Sequence, residues 1–140
     1  NELVLSMGTA FRGAMDIIRE TMPKKEKQST LALSILIHVE KTPQVSQGEL
    51  GRRLRRDPMT MSQAVRALQN GGLIVSQPDN TDRRVKRLTV TKKGKALGDS
   101  LEAGESKLLT QLAKDWGKGR VNQFTKDVNE FNDFLTKMKD

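Results

Sequence analysis

Two short capped helices separated by a basic turn, and followed directly by a β-hairpin, are the feature that most constrains the fold of this chain. Ser46–Glu49 has the spacing of a capping box, which opens a helix that ends near Leu54. Asp57 then supplies an N-cap and Pro58 a first helical residue for a second helix, which extends to Asn70. This order predicts a helix-turn-helix.

The residues after the second helix indicate a wing. Gly71 and Gly72 are suited to a left-handed helix cap. Residues 73–76 and 85–90 are rich in β-branched side chains and are separated by a polar turn, so we expect two strands of a hairpin. A hairpin in this position completes a winged helix-turn-helix.

Helical segments flank this region on both sides. Apolar spacing predicts a first helix over about residues 2–21 and a second that starts at a Ser29 cap and ends before Pro43. Thr91 is the expected cap of a long helix over about 92–112, in which Gly98 and Gly104 indicate close packing or a bend. A last helix follows residue 120.

The expected fold is therefore mainly α with a small β-hairpin wing, in the α+β class. We expect one structural domain with three parts: an N-terminal dimerisation helix in 1–28, the winged helix-turn-helix in 29–95, and a long helix plus a C-terminal dimerisation helix in 96–140.

Apolar stripes on the first and last helices predict the dimer. Only 35% of the residues are hydrophobic, and pairing with a second copy would complete their burial. The alternative is that both stripes fold onto the winged module of their own chain. The predicted interface residues are Leu3, Met7, Phe11, Phe124, Val128, Phe131, Leu135 and Met138.

Positive charge is concentrated in the winged region. Residues 51–95 hold 12 Lys and Arg against 3 Asp and Glu, whereas the two flanking segments are close to neutral. A basic surface of this kind favours a polyanionic partner, because neutralised phosphates release counterions. The alternative is a solvated charged surface without a partner. We expect a DNA-binding wing formed by Arg83, Arg84, Lys86 and Arg87, shaped by Asp82, and phosphate contacts from Arg55, Arg56, Lys92 and Lys93.

The outward face of the helix over 58–70 is the candidate reading surface. Its polar residues are Thr60, Ser62, Gln63 and Arg66. Gln pairs bidentately with adenine and Arg with guanine in the major groove, while hydroxyls bind bases or phosphates. The alternative is an ordinary exposed helix face.

Catalytic, metal and cofactor sites are not expected. The single histidine, His38, lies in an apolar stretch, and Asp99, Glu102 and Glu105 fit a solvated acidic helix face. Cysteine is absent, which excludes disulfides and thiol nucleophiles. We also see no membrane span and no signal peptide, and expect a cytoplasmic protein.

The order of elements, the pair Gly72-Leu73, the wing Asp82-Arg83-Arg84 and the pattern from Thr91 to Gly94 resemble the MarR family of bacterial transcriptional regulators. The resemblance covers about residues 30–95. It implies a triangular homodimer that offers two winged helix-turn-helix modules to a pseudo-palindromic operator, associates with the nucleoid when bound, and usually represses transcription. Many members release DNA when a small molecule binds between the dimerisation helices and the winged module.

This chain departs from the family pattern in two places. Its turn carries Arg55-Arg56-Asp57-Pro58, where the family commonly has a small or aliphatic residue followed by Ser. The lack of cysteine excludes thiol sensing, and tyrosine is also absent.

The predicted function is a sequence-specific, homodimeric DNA-binding regulator without enzymatic activity. The alternatives are a winged-helix protein-interaction module and a DNA-binding protein without sequence preference.

Overall fold

The computed structural model describes residues 1–139, in which six helices surround a small antiparallel sheet. The elements in chain order are α1 (Glu2–Arg19), α2 (Thr30–Lys41), β1 (Val45–Ser46), α3 (Gln47–Arg53), α4 (Pro58–Asn70), β2 (Ile74–Pro78), β3 (Lys86–Val90), α5 (Lys92–Trp116) and α6 (Lys118–Lys139). The predicted winged helix-turn-helix with flanking helices is confirmed.

Side-chain caps fix the starts of four helices, as the sequence predicts. In each, a hydroxyl or carboxylate oxygen accepts from the backbone N–H three residues later, at 2.9 to 3.1 Å. These caps are Ser29, Ser46, Asp57 and Thr91. Only one of the two hydrogen bonds of the α3 capping box forms, the one in which Ser46 Oγ accepts from the Glu49 N–H. The Glu49 carboxylate binds Arg53 at 2.8 Å instead of the backbone N–H of Ser46.

The sheet has the order β1-β3-β2, with β3 in the middle. Leu88 of β3 lies opposite Val45 on one side and Ser76 on the other. The sequence did not predict β1, because two residues are too few to show alternation. Its pairing joins the start of α3 to the wing.

The core lies where α2, α4, α5 and the sheet meet. Its fully buried side chains include Leu33, Leu36, Leu68, Leu88 and Leu101. Helix α2 is central, because it packs against α4, α5 and β3. The helix-turn-helix and the sheet are therefore anchored on one closely packed apolar core.

Glycines allow α5 to approach its neighbours closely. A Cβ on Gly104 would lie 2.9 Å from the Ile18 carbonyl oxygen and 2.6 Å from Thr21 Oγ1, and one on Gly98 would collide with the Glu40 carboxylate. The predicted glycine effect is thus close packing. Helix α5 continues four residues beyond its predicted end, to Trp116.

Large apolar side chains remain exposed on α1 and α6. Leu3 is 63% exposed and Met138 is 69% exposed, whereas Val128, Phe131 and Leu135 are half-buried in the single chain. The exposed set also includes residues that the sequence stripe did not contain: Val4, Leu5, Ile17 and Phe134. Among residues 1–139, no helix combines the length and apolarity that crossing a membrane requires.

Candidate nucleic-acid interface

Helix α4 presents a polar face away from the core. Met61, Ala64, Val65 and Leu68 are buried on its inner side. Gln63 and Arg66 are exposed on the outer side, and neither side chain has a hydrogen-bond partner within residues 1–139. Both are therefore available to an external ligand.

The two hydroxyls of the predicted reading face are partly engaged within the protein. Thr60 Oγ1 donates to Asp57 Oδ2 at 2.7 Å, and Ser62 Oγ accepts from Gln47 Nε2 at 3.2 Å. The Thr60 hydroxyl is the main reason that the pKa of Asp57 is lowered. Thr60 thus retains acceptor capacity and Ser62 its hydroxyl hydrogen, so each can form one kind of contact with DNA.

Asp79 organises the base of the wing. Its Oδ2 accepts from the backbone N–H groups of Thr81 and Asp82, both at 3.0 Å, and its Oδ1 accepts from Arg87 Nε at 2.9 Å. The N–H of Asp82 contributes most to lowering the pKa of Asp79, followed by the Arg87 side chain. Asp79 was not among the residues predicted from the sequence. Its position at the start of a turn, where Asp commonly binds the following amides, was the available signal.

The wing tip carries Asp82, Arg83 and Arg84. Asp82 accepts from the backbone N–H of Arg84 at 3.1 Å, and its two oxygens bind the Arg84 guanidinium at 3.1 and 3.2 Å. The pKa of Asp82 is lowered chiefly by that side chain. Arg84 is 92% exposed despite this bond, and Arg83 is exposed with no side-chain partner in the described chain.

Arg87, which we expected in the DNA-binding wing, is half-buried and bonded within the chain. It is held inside the wing base by Asp79, and its Nη1 also donates to the carbonyl of Gln44 at 3.4 Å. Arg87 lies on the central strand β3, where it is paired with Ser46 of β1 and with Gln77 of β2. Lys86, its neighbour, is exposed.

Two of the four expected phosphate contacts are also engaged within the chain. Lys93 Nζ donates to the carbonyl of Gly71 at 2.8 Å. Arg55 Nη2 donates to the Asn132 carbonyl and to Thr136 Oγ1, both on α6. Arg56 and Lys92 are exposed.

A groove of about 530 Å³ separates the start of α4 from the wing. Its basic lining consists of Arg52, Arg56, Arg84 and Lys86. Arg52 was missed by the sequence analysis, because nothing in the α3 sequence distinguishes it from Arg53, which pairs with Glu49. The groove joins the reading face and the wing into one basic surface.

The residues expected to have structural roles lie apart from this surface. His38 is half-buried in α2, with Nδ1 2.8 Å from the Ser34 carbonyl oxygen. Asp99 and Glu40 bind Lys95, and the Asp99 side chain is the main reason that the pKa of Lys95 is raised. The described residues contain no group of three potential metal ligands.

A sequence model described as the MarR family matches residues 29–85, the segment that forms α2 through the wing tip. No curated protein sequence matches the chain. FabT from Streptococcus pneumoniae, solved in complex with DNA, is 16% identical, with 98% of this chain and 97% of that chain covered and a TM-score of 0.78.

Two further structures share the fold. A SlyA-like transcription regulator from Listeria monocytogenes is 18% identical and covers 98% of this chain and 91% of its own, with a TM-score of 0.82. PcaV from Streptomyces coelicolor, solved with its natural ligand, is 19% identical, with 91% of this chain and 89% of that chain covered and a TM-score of 0.72. This chain therefore matches the MarR family model over residues 29–85 and has the winged-helix fold of these MarR- and SlyA-type structures.

Proposed function

We propose that this protein is a sequence-specific DNA-binding regulator that represses transcription as a homodimer bound to a pseudo-palindromic operator. In this proposal α4 enters the major groove, the wing enters the minor groove, and the protein acts in the bacterial cytoplasm, at the nucleoid when bound, without enzymatic activity. The observation that carries it is the outward α4 face, where Gln63 and Arg66 are exposed without a side-chain partner in the described chain, and where Ser62 lines a groove shared with Arg84 and Lys86 of the wing.

The parts of the basic surface would have different tasks. Gln63 and Arg66 can form bidentate contacts with base edges, which specify sequence. Arg83 at the wing tip suits a narrow minor groove, where the negative potential is deepest. Arg52, Arg56 and Lys86 would bind phosphates, which position the protein without reading sequence.

The exposed apolar residues of α1 and α6 support the homodimer. A single chain leaves Leu3, Phe11, Phe134 and Met138 at least half exposed, and a second copy related by a two-fold axis would cover them. Two recognition helices about one turn of DNA apart would then match a pseudo-palindromic site.

A cavity of about 510 Å³ between α1, α2 and the end of α3 is our candidate for a small-molecule effector site. Phe11, Met15 and Leu31 supply apolar lining, and Arg12 and Asp16 supply charge. The cavity also contacts Arg56, next to the recognition helix. PcaV, which shares the fold, was solved with a ligand, and this supports the proposal.

Selection from random duplex DNA at physiological salt tests the function. We expect an enriched pseudo-palindrome, bound by two chains at least about a thousandfold more tightly than shuffled competitor. Equal binding to every duplex, lost steeply as salt rises, would contradict sequence reading. Absence of DNA binding together with capture of an acidic protein would favour a protein-interaction module instead.

A further inference from the structure

Arg55 lies at an unusual backbone position in the turn between α3 and α4. Helix α3 ends in a Schellman motif, in which Arg56 N–H donates to the Gly51 carbonyl at 2.9 Å and Arg55 N–H donates to the Arg52 carbonyl at 3.2 Å. Arg55 therefore occupies the left-handed position with φ of +55°, a place where glycine is usual. A large side chain is disfavoured there, so its contacts matter.

The Arg55 side chain reaches the C-terminal half of α6. Its Nη2 donates to Thr136 Oγ1 at 3.0 Å and to the Asn132 carbonyl oxygen at 3.3 Å. Thr136 Oγ1 also donates to that carbonyl at 3.0 Å, so the three groups form a closed network. The left-handed turn thus connects α3 and α4 with a helix about 80 residues further along the chain.

We propose that Arg55 is a positioning residue, which fixes the recognition helix to α6 instead of binding a DNA phosphate. Helix α4 begins three residues after Arg55, at Pro58. Helix α6 carries Leu135 and Met138 of the proposed dimer interface. The contact therefore sets the orientation of each recognition helix relative to the two-fold axis, and with it the spacing of half-sites that the dimer accepts. This inference rests on the proposed function.

Two variants weaken the contact from opposite ends. Thr136→Val removes the acceptor hydroxyl with little change in shape. Arg55→Asn introduces a residue that tolerates positive φ but whose side chain is too short to reach α6. Thr125→Val is the matched control, because Thr125 lies in the same helix and donates only to Val121, one turn earlier. Thermal unfolding establishes that each variant folds, and Thr136→Val alone is sufficient for the test.

We expect Thr136→Val, which loses one of the two hydrogen bonds, to bind the selected operator about three- to tenfold more weakly, and Arg55→Asn, which loses both, to bind it at least as weakly. Their affinity for a duplex with a single half-site should match that of the wild type. The ratio of the affinity for the selected operator to the affinity for an operator with one base pair added between its half-sites should fall. The salt slope should not change for Thr136→Val, and the double variant should be no weaker than the weaker single variant. Thr125→Val should behave as the wild type.

Three results would overturn the inference. Equal weakening on full operator and single half-site, with a shallower salt slope for Arg55→Asn and no effect of Thr136→Val, would make Arg55 a phosphate contact. Unchanged affinity and spacing preference in both variants would show that the contact positions nothing. Wild-type protein without sequence preference would remove the proposed function as well, and that result is distinguishable because it appears before any variant is made.

Discussion

At the scale of single residues, the arginines and lysines of the basic surface fall into two groups, those bonded within the chain and those without a side-chain partner in it. Arg87 and Lys93 are bonded to groups of the winged module itself, whereas Arg66, Arg83 and Lys86 have no side-chain partner in the described chain. Charge alone does not separate these groups, because they occur in the same stretch of sequence. The hydrogen-bond partners separate the two groups, and the residues without a partner are the ones to replace in tests of DNA binding.

Gln63→Ala should chiefly relax sequence preference at one base pair. Loss of a bidentate contact in the major groove costs about 1–3 kcal/mol of discrimination. Competition between the operator and its single-base variants measures this change. Gln69→Ala is the matched control, since Gln69 is also exposed on α4 but lies in its last turn. Unchanged affinity and preference for Gln63→Ala would show that the reading face is assigned wrongly.

Arg83→Ala should weaken binding to all sequences and make the salt dependence shallower. One lost phosphate or groove contact reduces the slope of log K against log salt by about 1. A titration series between low and physiological salt measures both quantities, with Lys107→Ala on the distant part of α5 as the control. Replacing Arg84 as well should increase the loss. If the slope of log K against log salt in the Arg83→Ala protein equals that of the wild type, the wing tip does not insert into the minor groove.

At the scale of elements, short caps and close helix contacts hold the reading surface in place. The crossing of α1 over α5 depends on Gly104, because backbone atoms of Ile18 in α1 and the hydroxyl of Thr21, just after α1, lie within about 3 Å of the place of a Cβ. The wing depends on Asp79, which joins its turn to β3. Each contact leads to a prediction about the element that it fixes.

Gly104→Ala should lower the free energy of unfolding by about 1–3 kcal/mol, the usual range for overpacking. The added methyl group would force α1 away from α5. Urea denaturation measures the change. Gly119→Ala is the control, because Gly119 lies in α6 with nothing within 4 Å of its Cβ position, and alanine favours the helix there by up to about 1 kcal/mol. Equal stability of the two variants would contradict the close crossing.

The wing should loosen in acid. The pKa of Asp79 is below its ordinary value of 3.8, because backbone N–H groups and Arg87 stabilise the carboxylate. This stabilisation is present above pH 3.8 and is lost as the pH falls through the lower value in the folded protein. Carboxyl NMR titration of the wild type and of Arg87→Gln checks this, with a rise in the Asp79 pKa expected in the variant. Titration of wild-type Asp79 at or above 3.8 would contradict it.

At the scale of the whole molecule, the exposed apolar residues of α1 and α6 lead to a prediction about assembly. Met138→Glu should raise the dimer dissociation constant at least about tenfold, equivalent to about 1.4 kcal/mol, because it places a charge in an apolar interface. Sedimentation equilibrium measures the constant. Met59→Glu is the control, since Met59 is 72% exposed, much like Met138 at 69%, but lies on α4. Equal dimerisation of both variants would place the interface elsewhere.

The sequence predicts those parts of the molecule that depend on near neighbours. Asp57 and Thr91 cap helices through bonds that span three residues, so their pattern is local. Strand β1 and the bond from Arg55 to Thr136 depend on partners about 40 to 80 residues away, and no local pattern encodes them. The basic surface was therefore predictable from the sequence as a region. Which of its arginines and lysines are bonded within the chain could be learned only from the fold.

Methylation protection with dimethyl sulfate on the selected operator tests the central claim most directly, because this reagent modifies guanine N7 in the major groove and adenine N3 in the minor groove. The account predicts two symmetric clusters of protected guanine N7 about one turn apart, with protected adenine N3 beside each cluster. Uniform protection along the duplex, or a single asymmetric cluster, would contradict reading by a dimer through α4 and the wing.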